Sequence, residues 1–418
     1  MAGLLTIFPG AGSQYPAMGR SLHDAYPVFR DTLSEAGDVL GMDITGLCID
    51  RARGAELGSL RNAQLAVLAV SVATYRVMRA ELKLAPHLAL GHSLGEYAAL
   101  CCAGAISFRA TLEIISRREA LIREDAASAA GTMTWVVNLG RSEVEEICSA
   151  ASTPESRVYV SAYDHATQHS ISGQTAAVTI AAKRLEAAGA TLFPLRGSGP
   201  WHCALMANVA VRLRSVLDDY EFMPTRFPVI SNLTARPYPS APGEMRDLLA
   251  RQLEMPLLLA DSLRWAECQG TRAAVSPGPK EVMKFLVDKN SRRIRAYGLE
   301  RAEQLAALRD ALVLAPDDLG RVAANCLRSI NTTPNHNHDP QAYRDLVVEP
   351  YRRLEAVYLE RISSGTRLAM SDVAGMADTA EAILRAKRLP PDAVFDSTDR
   401  IWCGKFAAAD VTAETAHV

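Results

Sequence analysis

Apolar and polar positions alternate along the chain in two distinct rhythms. The run LLTIF at 4–8 is short, apolar and closed by PGAGSQ, which predicts a buried strand feeding a glycine-rich loop. Residues 61–82 carry a long apolar periodicity with few breakers and predict a buried helix. HLALGHS at 87–93 reads as a strand and a tight turn, followed by the helix EYAALCCAGA and an amphipathic helix over 108–125 with SRREALIRE on its polar side.

Near residue 130 the rhythm changes. MTWVVNL (133–139), RSEVEEICSAA, VYVSAY (158–163), HSISG (169–173), TAAVTIAAKRLEAA and TLFPL (191–195) predict the order β-α-β-β-α-β, a ferredoxin-like layer. After residue 200 an α/β rhythm resumes with FPVISN (227–232), a helix near 244–269, AAVSPG (273–278) and a helix from Lys280. The expected fold is therefore α/β: an α/β-hydrolase-like large unit over 1–127 and 198–312, with a small ferredoxin-like unit over 128–197 inserted in it. Residues 313–418 form a mainly helical extension. Within it NTTPNHNHDP (331–340) reads as a polar loop, and Tyr343, Leu346, Leu354, Val357 and Tyr358 fall at helical spacing. Pro350 marks a break or a helix start. The last dozen or so residues read as frayed.

Composition narrows the function classes. With 418 residues, 49% hydrophobic and 22% charged, the chain is long enough for two or three domains of ordinary globular make-up. A net charge of −2 supplies no field for nucleic acid or an anionic membrane. The N-terminus has no basic stretch, and the longest apolar run, AQLAVLAVSVAT (63–74), is too short to span a bilayer. Eight cysteines without paired spacing fit a reducing cytoplasm.

The chemistry gathers at GHSLGEYAAL (91–100). Gly91-His92-Ser93-Leu94-Gly95 fits G-x-S-x-G, a sharp strand-to-helix turn that exposes the serine hydroxyl, with an acidic residue, Glu96, three positions further on. The helix that follows offers free amides and a positive dipole end to a developing oxyanion. A serine nucleophile needs a base. His92 is adjacent in the turn and is expected to point away from the hydroxyl. His336 and His338 sit in a polar stretch without further ligands, which reads as solvated loop; no metal site is expected. His202, in GSGPWHCALM, falls where the inserted unit returns to the large one and a cleft should open.

FPGAGSQ (8–14), GHSLGEYAAL, the helix arginine of SRREAL and WHCALM (201–206) together resemble the malonyl-CoA:acyl carrier protein transacylases, the acyltransferases of fatty acid and polyketide synthesis. The resemblance covers about residues 1–310. It implies that Ser93 is acylated, that His202 is its base, and that a backbone carbonyl orients the histidine, with Met255 of RQLEMPLLL at the matching position. It further implies an oxyanion hole from the amides of Leu94 and Ala11, where the family commonly has glutamine, and a cleft lined by Gln64. Arg118 would select dicarboxylic acyl groups by holding their carboxylate. Trp201 would narrow the pocket and favour malonyl over α-branched groups. Asp164 and Ala162 fall where asparagines are common. The implied substrates are malonyl-CoA and the phosphopantetheine thiol of an acyl carrier protein, with no metal or redox cofactor. The C-terminal hundred residues resemble those of discrete, trans-acting polyketide acyltransferases. An acyl-carrier-protein hydrolase and a non-catalytic carrier-binding protein are the alternatives.

Overall fold

The computed structural model describes residues 3–125, 130–195, 198–315, 318–365, 368–402 and 405. Its nine strands are β1 Gly3–Phe8, β2 Leu88–Gly91, β3 Gly131–Val137, β4 Val158–His165, β5 Gln168–Gln174, β6 Thr191–Pro194, β7 Val229–Ile230, β8 Thr271–Pro277 and β9 Arg295–Leu299. They form two sheets.

The larger sheet has the order β7-β2-β1-β8-β9 and is parallel throughout. Helices cover both faces, and this is why β1 reads as an apolar run interrupted only by Thr6, with all six residues buried. Alternate side chains go to opposite faces: Leu4 and Phe8 join one core, Leu5 and Ile7 the other. The helix Leu60–Leu82 packs into the first, Leu259–Cys268 and Val282–Asn290 into the second. Phe8 pairs with Gly91, so the loops leaving β1 and β2 emerge side by side at the carboxyl edge of the sheet. In open parallel sheets that edge, between neighbouring strands, is where ligand crevices form.

The smaller sheet, in the order β4-β5-β3-β6, is antiparallel. Helices Arg141–Ala151 and Thr175–Ala187 pack on it around a core of their own. It is tied to the rest through β4, where Tyr163 N–H donates to Leu257 O (2.8 Å) and Leu257 N–H to Ser161 O (3.0 Å). The expected limits of this unit, near 128 and 197, lie outside the described residues.

Two expectations change. The helix foreseen near 244–269 is two helices, Pro242–Arg251 and Leu259–Cys268. Pro256 stands between them, lacking an amide and disfavouring helical geometry in the residue before it. The strand β9 and the helix Ala302–Leu312 were not expected; β9 is an edge strand whose RAYGL is largely half-exposed and carries no apolar run.

Beyond residue 315, helices Leu319–Thr332, Glu349–Ser363, Met370–Ala386 and Pro391–Trp402 enclose a separate core that includes Val322, Leu354, Val373 and Ile383. Leu354 is buried as its spacing suggested, whereas Leu346 and Val357 face solvent. His336 and His338 are exposed, and the loop is pinned by the His336 amide on Lys387 O and by Asn337 Nδ2 on Ala386 O. The residues beyond 405, read as frayed, lie outside the described residues. Since this core is not shared with the sheets, a chain ending at residue 315 is expected to keep the main unfolding transition. Losing 1 kcal/mol of mutual support would lower Tm by only roughly 2–4 °C; calorimetry showing a much larger drop would refute the separation.

Candidate active site

The G-x-S-x-G turn takes its shape from two close approaches. A Cβ on Gly91 would overlap the Gly95 backbone, and one on Gly95 would overlap the Phe8 carbonyl. Only glycine lets the turn press against β1. Ser93 then caps the helix Leu94–Cys102 with φ 52° and ψ −110°, a conformation costly for a side-chain-bearing residue. Its surroundings hold it there. The Ser93 amide donates to Asn232 Oδ1 (2.9 Å), and Gln252 Nε2 donates to the Ser93 carbonyl (2.9 Å).

His202 also has positive φ, 61°, and its amide donates to Leu253 O (2.8 Å). Its Nδ1 lies 2.7 Å from the Gln252 carbonyl, which can only accept, so Nδ1 carries the proton. Nε2 is therefore a bare acceptor, 2.8 Å from Ser93 Oγ. Burial pushes the imidazole down to about 3; the Gln252 carbonyl pulls it back, and Arg118 adds to the depression. At neutral pH the ring is an unprotonated base within hydrogen-bond reach of the serine.

The orienting carbonyl belongs to Gln252, not to Met255. Helix Pro242–Arg251 ends at Gln252, and the last carbonyls of a helix have no intrahelical donor, so this one is free to face the imidazole. Met255 lies three residues further on, before Pro256, with its side chain turned to solvent. A helix-end carbonyl has no side-chain signature, which is why sequence spacing missed it.

His92, as expected, turns away from Ser93. Its Nε2 pairs with Asp164 Oδ1 at 2.8 Å, and Asn290 Nδ2 donates to the Asp164 carbonyl (2.8 Å), linking the turn to β4 and the large sheet. Ala162 bridges Leu257. Leu94 opens its helix, where amides have no intrahelical acceptor. Ala11 sits exposed in the loop after β1, which Ser13 Oγ on Gly10 O (2.6 Å) and Lys280 Nζ on Gly12 O (3.0 Å) hold in place.

Arg118 is buried, not a surface residue of its charged helix Phe108–Glu124. Its Nη1 donates to Gln64 Oε1 (2.7 Å), and the guanidinium lies over the Tyr97 ring at 5.5 Å. Nε has no acceptor, and the arginine has no ion-pair partner among the described residues. Desolvation lowers its pKa, as burial does for any cation. Trp201 is half-buried against the main core; its carbonyl accepts from Ser172 Oγ (2.7 Å), and its indole N–H is unpaired. No cluster of three metal-ligating side chains exists among the described residues.

A parallel α/β sheet thus carries, at one edge, a serine on a strained turn, a neutral histidine within hydrogen-bond reach of it and a buried arginine with no ion-pair partner among the described residues, a set suited to acyl transfer. The sequence relationships agree: the chain belongs to the acyl transferase domain family, which matches residues 6–284. It is 30% identical to the malonyl CoA-acyl carrier protein transacylase of Bacillus subtilis over 397 residues, covering 93% of this chain and 98% of that protein. It is 32% identical to the protein of that name from Escherichia coli K12 over 302 residues, 72% of this chain and 97% of the other. The Bacillus alignment thus takes in C-terminal helices that the E. coli protein does not reach. Among solved structures, a malonyl-transacylase in complex with its type II PKS acyl-carrier protein superposes with TM-score 0.71 at 32% identity, over 74% of this chain and 99% of that one. An acyl carrier protein S-malonyltransferase from Vibrio cholerae gives 0.70 at 31% identity, over 73% and 100%.

Proposed function

We propose that the protein is an acyltransferase that moves a malonyl group from malonyl-CoA to the phosphopantetheine thiol of an acyl carrier protein, through an ester on Ser93. Ser93 Oγ attacks the thioester carbonyl while its proton passes to His202 Nε2. The C–S bond breaks, and coenzyme A leaves with that proton. The carrier's thiol then gives its proton to His202 and attacks the ester; the Oγ–C bond breaks, and Ser93 Oγ takes that proton back from His202. The amides of Leu94 and Ala11 are the donors for the oxyanion in both steps. All of this is acid–base and nucleophilic chemistry, and it requires no metal or redox cofactor.

The observation that carries the substrate class is Arg118. A buried guanidinium with an open edge, near enough to depress His202, is matched by an acyl group ending in a carboxylate. A hydrolase of uncharged acyl chains has no use for it, and a docking protein has no use for the neutral base. The bulk of Trp201 favours malonyl over α-branched groups. The β-α-β-β-α-β order of the smaller sheet supports its reading as a ferredoxin-like unit inserted in an α/β-hydrolase-like one, with Gln64 and Arg118 contributed by the latter. The helical extension, shared in the Bacillus alignment, supports a discrete acyltransferase acting in trans on polyketide carriers. No helix among the described residues is long and apolar enough to cross a membrane, and the seven described cysteines are free thiols, which fits a reducing cytoplasm.

The test is intact-protein mass spectrometry. Malonyl-CoA should leave one malonyl group on the protein, which a holo acyl carrier protein then discharges onto its own thiol. Release of free malonate with no carrier product would replace transfer by hydrolysis.

A further inference from the structure

We infer that Glu96 is a positioning residue for the dyad, its carboxylate serving as the common acceptor that locks the Ser93 turn and the His202 partner to each other. The inference rests on the acyl transfer proposed above. Glu96 lies in the first turn of the helix behind Ser93 and is fully buried. Its Oε1 accepts from the Asn232 amide (2.8 Å) and from Tyr238 OH (2.8 Å); its Oε2 accepts from Gln252 Nε2.

Each half of the dyad hangs on one of these donors. Asn232 turns its side chain to the elbow: Oδ1 accepts from the Ser93 amide, and Nδ2 donates to the Gly91 carbonyl (2.6 Å). Gln252 holds the Ser93 carbonyl with its side chain and the His202 ring with its main-chain carbonyl. A single carboxylate is thus one residue removed from the backbone of the serine and one residue removed from the tautomer of the histidine.

Every group that faces Glu96 through a polar contact donates to it. From the turn after β7 come Asn232, Tyr238 and Ser231; from the helix end comes Gln252. Tyr97, next on the same helix, feels the charge of Glu96, but its hydroxyl makes no hydrogen bond. No cation is among them. The Tyr238 and Ser231 hydroxyls can turn to accept. A hydrogen on Oε2, from protonation or from an amide at this position, is instead set against the Gln252 N–H, so of the two supports, Asn232 and Gln252, the second is the one challenged. Gln252 is the weaker of them, because turning its amide over would point Oε1 at the Ser93 carbonyl and release it.

This gives the carboxylate a titration that the activity can report. Burial pushes Glu96 up to about 7 against the pull of its donors. His202 is held neutral down to about 3, so an acid limb near neutrality cannot belong to the base. The assay is self-acylation across the neutral range with the malonyl thioester of N-acetylcysteamine, which lacks coenzyme A's phosphates and their own titration near pH 6. Wild type should slow as pH falls through about 7. Glu96→Gln should lose that limb and run roughly 10- to 100-fold slower than wild type on the alkaline side of it, the cost of a misplaced nucleophile, with the two rates converging as the wild-type carboxylate takes up its proton. Tyr238→Phe keeps the carboxylate but removes a donor to its charged form, so the limb should move up by about one unit. A flat wild-type profile, a limb retained in Glu96→Gln, or a folded Tyr238→Phe with an unmoved limb each overturns the inference. Should Glu96→Gln fail to fold, the Tyr238→Phe shift decides. A wild type that forms no malonyl adduct would overturn the proposed transfer and this inference with it, whereas an adduct formed without a limb sinks only the role of Glu96.

Discussion

Replacing Ser93 with alanine is expected to abolish the malonyl adduct, and replacing His202 with alanine to slow its formation by about 10⁴-fold or more. The two effects differ because the two side chains do different work. Without Oγ there is no atom to carry the ester, whatever the rest of the site supplies. Without the imidazole the hydroxyl is still on its elbow, 2.8 Å from where Nε2 stood, but its proton has nowhere to go. The neighbouring histidine cannot step in, since His92 is committed to Asp164 on the other side of the turn. Quenched-flow mass spectrometry of both variants at saturating malonyl-CoA separates the cases: zero adduct for Ser93→Ala, slow adduct for His202→Ala. An adduct of unchanged stoichiometry on Ser93→Ala would move the nucleophile elsewhere and dismiss the whole assignment.

The elements that the sequence made readable are those where side-chain identity is itself the physical cause. Glycines 91 and 95 are legible because a Cβ on the first would overlap the Gly95 backbone and one on the second the Phe8 carbonyl, and the strands β1 and β2 because both faces of a parallel sheet favour apolar side chains. The smaller layer could be followed strand by strand because each of its six elements is bounded by turn residues. His202 was less certain, standing 109 residues from its partner with nothing local to mark the pairing. What stayed hidden was written in the backbone. Gln252 acts through its carbonyl and Asn232 through its place after a two-residue strand, and neither property shows in a residue letter. Glu96 was visible as an acid in the motif, but its meaning comes from donors 136 to 156 residues away that only the fold assembles. The C-terminal helices were legible from their spacing, but not what they pack on: their apolar faces meet one another and leave Leu346 and Val357 outside.

Arg118→Ala is expected to cut malonyl loading by roughly 10²-fold or more while leaving acetyl loading nearly untouched. Nη1 of Arg118 is committed to Gln64, and the edge that carries Nε is left without an acceptor in a buried site. A malonyl carboxylate can meet such an edge with two parallel hydrogen bonds, and a desolvated, charge-assisted pair of this kind is worth about 2–5 kcal/mol when one partner is removed. An acetyl group brings no charge to that place and loses nothing with the arginine; it can gain, because its methyl no longer faces an unsatisfied cation. Lysine should rescue poorly, since it offers one point charge in place of a planar fork and cannot reproduce the bond to Gln64 and the two-pronged grip together. The decisive quantity is the ratio of malonyl to acetyl self-acylation rates in wild type, Arg118→Ala and Arg118→Lys. It should fall by about two orders of magnitude in the alanine variant and recover only in small part with lysine. A ratio that does not change would mean that the guanidinium serves the core between Tyr97 and Gln64 alone, and the preference for a dicarboxylic acyl group would then have to come from elsewhere in the cleft.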